Sequence, residues 1–240
     1  MNKNICFIDG LEGILKYREV DINELVELPY DAVSYLLIRG ELPGEQELAE
    51  YSARLHAERG INREVMDVIR MCNLNVDAME ALRTVVSFIS QFDPDLNDSS
   101  QEGNMRKAIR LIAMVPTIVA AYYRTANGKE PVPPDPSLSH GANFLYMLKG
   151  SKPDPLEAEV MEKDFILSAE HELNASTFSS RVTASTLSDL YSAVVSGLCT
   201  LKGPLHGGAR SEVMNMLEAI ACPENAEKFV LEKKLKREKK

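Results

Sequence analysis

A chain of 240 residues with 45% hydrophobic content is long enough for one large core, and a domain of this size buries about 70–75% of its unfolded surface. Its formal net charge of -9 disfavours a general nucleic-acid binder. The longest apolar run, Leu111 to Tyr123, is broken by Pro116 and Thr117 and falls short of the ~20 residues that span a bilayer.

No charged-then-apolar leader opens the sequence, and Cys6, Cys72, Cys199 and Cys222 are scattered with no close pair. They read as free thiols of a cytoplasmic protein. The first apolar runs, Ile5 to Ile8 and Gly13 to Tyr17, flank Asp9-Gly10 and predict a hairpin. A lone hairpin is marginal and must lean on helices. From Asp21 onward the pattern is helical. Tyr30 to Arg39 stops at Gly40, and Glu45 to Arg59 carries a narrow seam of Leu48, Tyr51 and Leu55 on an otherwise polar, exposed helix. Asn62 is placed to cap the next helix, with Val65, Val68 and Ile69 inward. Asp77 to Gln91 has a broad apolar stripe. A long helix from about Ser100 to Thr125 is apolar on most sides in its later turns, which predicts burial all round and a kink at Pro116.

Pro131 to Pro136 is a stiff surface connection. Ser137 to Leu148 reads as a short helix closed by Gly150. Asp154, Pro155 and Glu157 announce the start of the next, which leads toward His171. Ser176 to Gly197 holds one helix or two in series. Gly203-Pro204 breaks the chain, a helix runs from His206 to about Ala221, and Glu224 to Lys240 forms a last helix. Its lysine-rich end reads first as a solvated helix C-terminus and only second as a contact for nucleic acid or membrane.

Convergent polar chemistry is confined to two stretches. In Leu201-Lys202-Gly203-Pro204-Leu205-His206-Gly207-Gly208-Ala209, one histidine lies at a glycine-rich helix start. The positive end of that helix disfavours a charged imidazole, and a neutral one can donate a hydrogen bond to a developing enolate. The plainer reading is a helix cap. In His171-Glu172-Leu173-Asn174-Ala175-Ser176-Thr177, the residues form either capping groups or a donor set for a small anionic substrate. A zinc-protease motif would need histidine at position 175, which is Ala175, and a His171–His206 metal site lacks further ligands. No Gly-x-Ser-x-Gly elbow is present.

His171 to Phe178, then Arg181-Val182, Ser185-Thr186, Asp189-Leu190-Tyr191 and Leu201 to Ala209, together resemble citrate synthase. Ile8-Asp9-Gly10, Gly13 to Arg18, Gly40 to Pro43 and Leu82-Arg83-Thr84 resemble its shorter, prokaryotic type, so the likeness runs over nearly the whole chain in order. It implies an all-α fold with a small N-terminal hairpin, a large helical domain over 1–205 and the start of a small domain over 206–240. It implies condensation of acetyl-CoA with oxaloacetate to citrate and CoA, with no metal or other cofactor. By the same likeness His206 is the catalytic residue that polarises the acetyl-CoA carbonyl, His171 and Asn174 bind oxaloacetate, and helices over 77–91 and 100–126 form a homodimer contact.

The family's Gly-x-Gly-His-Arg motif, its later catalytic aspartate and several substrate-binding arginines have no counterpart in these residues. Glu19 stands at a common glycine, and Asp77-Ala78-Met79 where many members have His-Pro-Met. The expectation is therefore the N-terminal part of such an enzyme, inactive alone and completed by a C-terminal part. A non-catalytic paralogue that dimerises or binds oxaloacetate, and a 2-methylcitrate synthase acting on propionyl-CoA, are the alternatives. One methylene separates the two acyl substrates, worth only ~1–3 kcal/mol in a pocket.

Overall fold

The computed structural model describes residues 5–73 and 76–237, and within these the side chains of all but 209–212 and 233–237. The lysine-rich end therefore lies outside the described side chains. The hairpin is present as β1 (Cys6–Asp9) and β2 (Ile14–Tyr17), antiparallel, with Cys6 opposite Tyr17 and Asp9 opposite Ile14. The Asp9 carboxylate closes the turn by accepting from the N–H groups of Leu11 and Glu12 at 3.0 and 3.1 Å. A third strand not predicted from the sequence, β3 (Val20–Asp21), pairs back on β2. The two residues that make the intervening turn, Arg18 and Glu19, have φ of 51° and 77°. That is the geometry of a two-residue hairpin turn, in which both central residues are left-handed. Glycine is the residue for which this is free; Glu19 holds it at a cost of about 1 kcal/mol.

All other elements are helical. They are α1 (Ile22–Leu25), α2 (Tyr30–Arg39), α3 (Glu45–Ala57), α4 (Arg63–Met71), α5 (Ala78–Ile89), α6 (Gln101–Ala126), α7 (His140–Lys149), α8 (Pro155–Leu167), α9 (Ala175–Ser185), α10 (Leu190–Leu201), α11 (Gly208–Ile220) and α12 (Ala226–Arg237). The expected caps are in place. Asn62 Oδ1 accepts from Val65 N–H at 2.8 Å, and Asp154 with Glu157 closes a capping box around Pro155. The short helix predicted from Ser137 begins instead at His140, because Ser139 takes the cap.

One core joins α4, α5, α6 and α10 through Ile69, Val85, Val86, Ile89, Ile118 and Tyr191. A second seats the sheet on α2 and α8 around Tyr17, Leu25, Leu36 and Ile166. The Tyr17 hydroxyl, fully buried, donates to the Ile166 carbonyl at 2.9 Å. α6 runs unbroken through Pro116, but it is not buried all round: Ile112, Met114, Val115 and Val119 are half-exposed. An apolar groove of about 250 Å³ opens between α5 and α6 beside Leu82, Val119 and Tyr123.

Several charged groups that read as surface are interior. Arg59, two residues past the end of α3, is 1% exposed. Its Nη1 donates to the carbonyls of Asp135 and Leu138 at 3.2 and 2.9 Å. His56 Nδ1 lies 3.1 Å from the Pro136 carbonyl and its Nε2 3.0 Å from Asp31. The proline-rich connection is thus strapped onto α3. The cysteines are unpaired, and among the described residues no helix is long and apolar enough to cross a membrane.

Candidate active site

The single or double helix expected over Ser176 to Gly197 is a helical hairpin, α9 and α10. Small residues let the two approach closely. A Cβ on Gly197 would lie 2.6 Å from Ser180 Oγ, and the Ser179 hydroxyl donates across to the Ser196 carbonyl at 3.2 Å. Thr200 Oγ1 adds a bond to Ser179 Oγ at 2.8 Å. This pairing sets the first turn of α9 beside the last turn of α10, and so beside the break that follows it.

That break is a tight double turn. His206 N–H donates to the Gly203 carbonyl at 2.9 Å and Gly207 N–H to the Leu201 carbonyl at 2.9 Å. Only glycine fits at 207, since a Cβ would lie 2.4 Å from the Leu201 carbonyl oxygen. Lys202, at the end of α10, ion-pairs with Glu80 on α5, which holds the Glu80 carboxyl below its ordinary range.

His206 does not lie in the first turn of the helix that follows it. α11 begins at Gly208 with Gly207 at its cap, so the imidazole stands one residue outside. The helix end it meets belongs to α9. Its Nε2 lies 3.3 Å from the backbone N–H of Ser176, which donates to it, and 2.9 Å from Ser176 Oγ. A backbone N–H can neither rotate away nor accept, so it meets Nε2 as a lone pair, reinforced by the positive end of α9. The hydrogen of the neutral ring then sits on Nδ1. Ser176 Oγ is also 2.7 Å from Asn174 Oδ1 and shares its one proton between the two neighbours. We expect long-range proton–nitrogen spectra of the neutral ring to show a bare Nε2 and a protonated Nδ1; an Nε2–H signal would contradict the arrangement.

Asn174 is the cap of α9. Its Oδ1 also accepts from Thr177 N–H at 2.9 Å, which fixes the carboxamide and leaves its NH₂ end as the available donor. His171 lies in the loop between α8 and α9, exposed, and among the described residues its ring makes no hydrogen bond. The structure thus joins His206 to Ser176 directly and to Asn174 through the Ser176 hydroxyl, and sets His171 three residues before the cap. An open groove of about 410 Å³ runs from Ser176 and Thr177 past Arg181 between α9 and α10. Sequence reasoning placed the dipole on the wrong helix and missed Ser176 as the partner of the imidazole. The signal was the Asn-x-Ser-Thr cap itself, which marks where a helix exposes free N–H groups. Among the described residues no cluster of three His, Cys, Asp or Glu side chains is arranged to hold a metal ion.

The family profile described as "Citrate synthase, C-terminal domain" matches residues 1–240. A citrate synthase of Haloferax volcanii is 47% identical over 221 residues, covering 90% of this chain and 58% of its own length. One from Deinococcus radiodurans is 41% identical over 236 residues, covering 98% and 63%. A citrate synthase of Thermoplasma acidophilum, solved as a ternary complex with carboxymethyl coenzyme A and oxaloacetate, superposes with a TM-score of 0.87 at 30% identity, over 94% of this chain and 60% of that one. The chain therefore spans about three fifths of the length of the relatives it matches.

Proposed function

Since the chain belongs to the citrate synthase family, we propose that it carries the enolate-stabilising half of a site that condenses acetyl-CoA with oxaloacetate. The observation that carries this reading is the imidazole of His206, whose Nε2 is taken by Ser176 N–H, which leaves Nδ1 to carry the proton of the neutral ring as a donor. Loss of a proton from the acetyl methyl group places negative charge on the thioester oxygen. A neutral imidazole N–H aimed at that oxygen stabilises the enolate without reorganising. The enolate carbon then bonds to the ketone carbon of oxaloacetate as the C=O π pair moves to oxygen, the resulting alkoxide takes up a proton, and water cleaves the citryl thioester to citrate and CoA. His171 and the Asn174 NH₂ are the proposed oxaloacetate ligands. No metal or other cofactor enters these steps. The two relatives at 41 and 47% identity are citrate synthases, which favours acetyl-CoA over propionyl-CoA.

The base that removes the methyl proton is proposed to come from a complementing C-terminal part, continuous with residue 240 or separate. In this reading 1–205 form the large domain and 206–240 begin the small one. Val213, Met214, Leu217, Val230 and Leu231, each about half exposed, are then surface that the rest of the small domain covers. The half-exposed face of α6 and the groove beside α5 are the proposed homodimer contact, and the four free thiols fit a reducing cytoplasm.

The experiment is citrate formation followed by NMR. The purified 240 residues are expected to form none above background. Supplied with the missing part, the assembly turns over, and His206→Ala lowers kcat by about 10²–10³-fold, the usual effect of removing one oxyanion donor. Substantial turnover by the 240 residues alone would refute the division of roles.

A further inference from the structure

β1 is the outer strand of the sheet, so one of its edges is open. Ile8 pairs with Leu15 on the inner side, yet its own N–H donates to Glu172 Oε1 at 3.1 Å. Glu172 is therefore bound by its side chain to a residue 164 positions away. Its backbone is equally committed. φ is 54°, left-handed for a residue with a long side chain. Its N–H donates to Glu170 Oε2 at 2.6 Å, and its carbonyl accepts from Asn174 N–H at 3.0 Å. Glu170 is tied to the hairpin in turn: its N–H donates to Tyr17 Oη at 3.4 Å, and its carboxylate hydrogen-bonds the buried Cys6 thiol. His171 is the one residue of this loop flanked on both sides by such anchors and left with an unengaged ring.

We propose that Glu172 is the positioning residue of His171: its carboxylate fastens the 170–174 loop to the open edge of β1, and its left-handed backbone turns the chain into the Asn174 cap, so that the N-terminal hairpin sets where the imidazole meets substrate. This rests on the reading of His171 as an oxaloacetate ligand. It gives the glutamate of the His-Glu-x-Asn-Ala-Ser-Thr stretch a task without proton transfer. Its carboxylate is bonded to backbone, and its neighbours in the loop are held by β1 and β2 rather than by substrate.

The test uses the full 240 residues with Glu172→Ala and Glu172→Gln, the second keeping an oxygen acceptor in place. Amide exchange at Ile8 is expected to be about tenfold faster in Glu172→Ala, as for loss of one hydrogen bond to a charged acceptor. The ring signals of His171 should move, and oxaloacetate, titrated against those signals, should bind about tenfold more weakly, while unfolding temperature stays within roughly 2 °C because the group is exposed. Glu172→Gln should restore binding to within about threefold of the parent. Faster Ile8 exchange with unmoved His171 signals would reduce Glu172 to a cap on a strand edge and overturn the proposal. The His171 signals need no ligand, so they decide it by themselves. Unchanged oxaloacetate binding in His171→Ala would instead sink the assignment of His171 as ligand, a separate failure.

Discussion

Between pH 6.5 and about 4 the fold is expected to lose stability of the order of 3 kcal/mol through His140 alone, and His140→Phe is expected to abolish most of that loss. The ring is 4% exposed and stacks on Tyr30 with centroids 4.3 Å apart, its Nδ1 has no partner among the described residues, and Phe165 meets it edge to face at 5.4 Å. Burial disfavours the imidazolium and pushes its pKa down to about 4; the charges of Arg59 and His56 add to this, and Asp31 opposes it. The sign follows from where protons bind. Below 6.5 the unfolded chain takes up a proton at this residue and the folded chain does not, so the unfolded state gains until the pH passes the folded value. Phenylalanine keeps the stacking partner, removes the unpaired nitrogen and removes the titration. Urea unfolding at stepped pH measures the difference. Parallel pH profiles for the two proteins would show that His140 is protonated in the fold. Asp31 and Asp95, both held below the usual carboxylate range, act in a lower window, below their unfolded values near 3.8.

Asp93→Ala is expected to cost about 3–5 kcal/mol, the range for removing one partner of a buried ion pair. The Asp93 side chain is 1% exposed. It accepts from Arg110 Nη1 at 2.7 Å, from Asp95 N–H at 2.7 Å and from the buried Tyr191 hydroxyl, whose pKa burial and this carboxylate raise. Alanine would leave the tyrosine hydroxyl without its acceptor and Arg110 with Asp95 and, at 3.7 Å, Glu58. Asp93→Asn, which keeps the acceptor oxygen, should cost about 1–2 kcal/mol. The loss has a structural direction. Tyr191 opens α10, so freeing it loosens the helix against which α9 presents Ser176. Urea midpoints give the stability, and the nitrogen spectrum of His206 reports whether the loosening reaches the site. A cost of only a few tenths of a kcal/mol for Asp93→Ala would mean that the pair is solvated rather than buried.

The elements that were legible in the sequence are those governed by neighbours. Asn62, Asp154 and Glu157 act within one helical turn of themselves, and the Asp9-Gly10 turn within four residues, so their chemistry could be read locally. Arg59 and His140 could not. Arg59 is held by carbonyls of the connection between α6 and α7 and His140 by rings of α2 and α8, and their polar character alone argues for the surface. β3 was missed for a related reason. Its turn uses Arg18 and Glu19 where the usual signal is glycine or asparagine. At the candidate site, the histidine and its glycines marked a stretch that the structure brings against the start of α9, and the motif stretch contained Ser176. Which helix end the imidazole faces is decided by the packing of α9 on α10, a tertiary fact with no local signature.

The bond from Tyr17 to the Ile166 carbonyl joins residues 149 positions apart. During synthesis at about 5–20 residues per second, roughly 7–30 s separate the appearance of the hairpin from that of its partner. Through that interval the hydroxyl of Tyr17 and the free edge of β1 lack the partners they have in the fold, Ile166 and Glu172. The hairpin is thus made well before the helix that secures it, and a nascent chain is most open to wrong strand pairing over the hairpin residues.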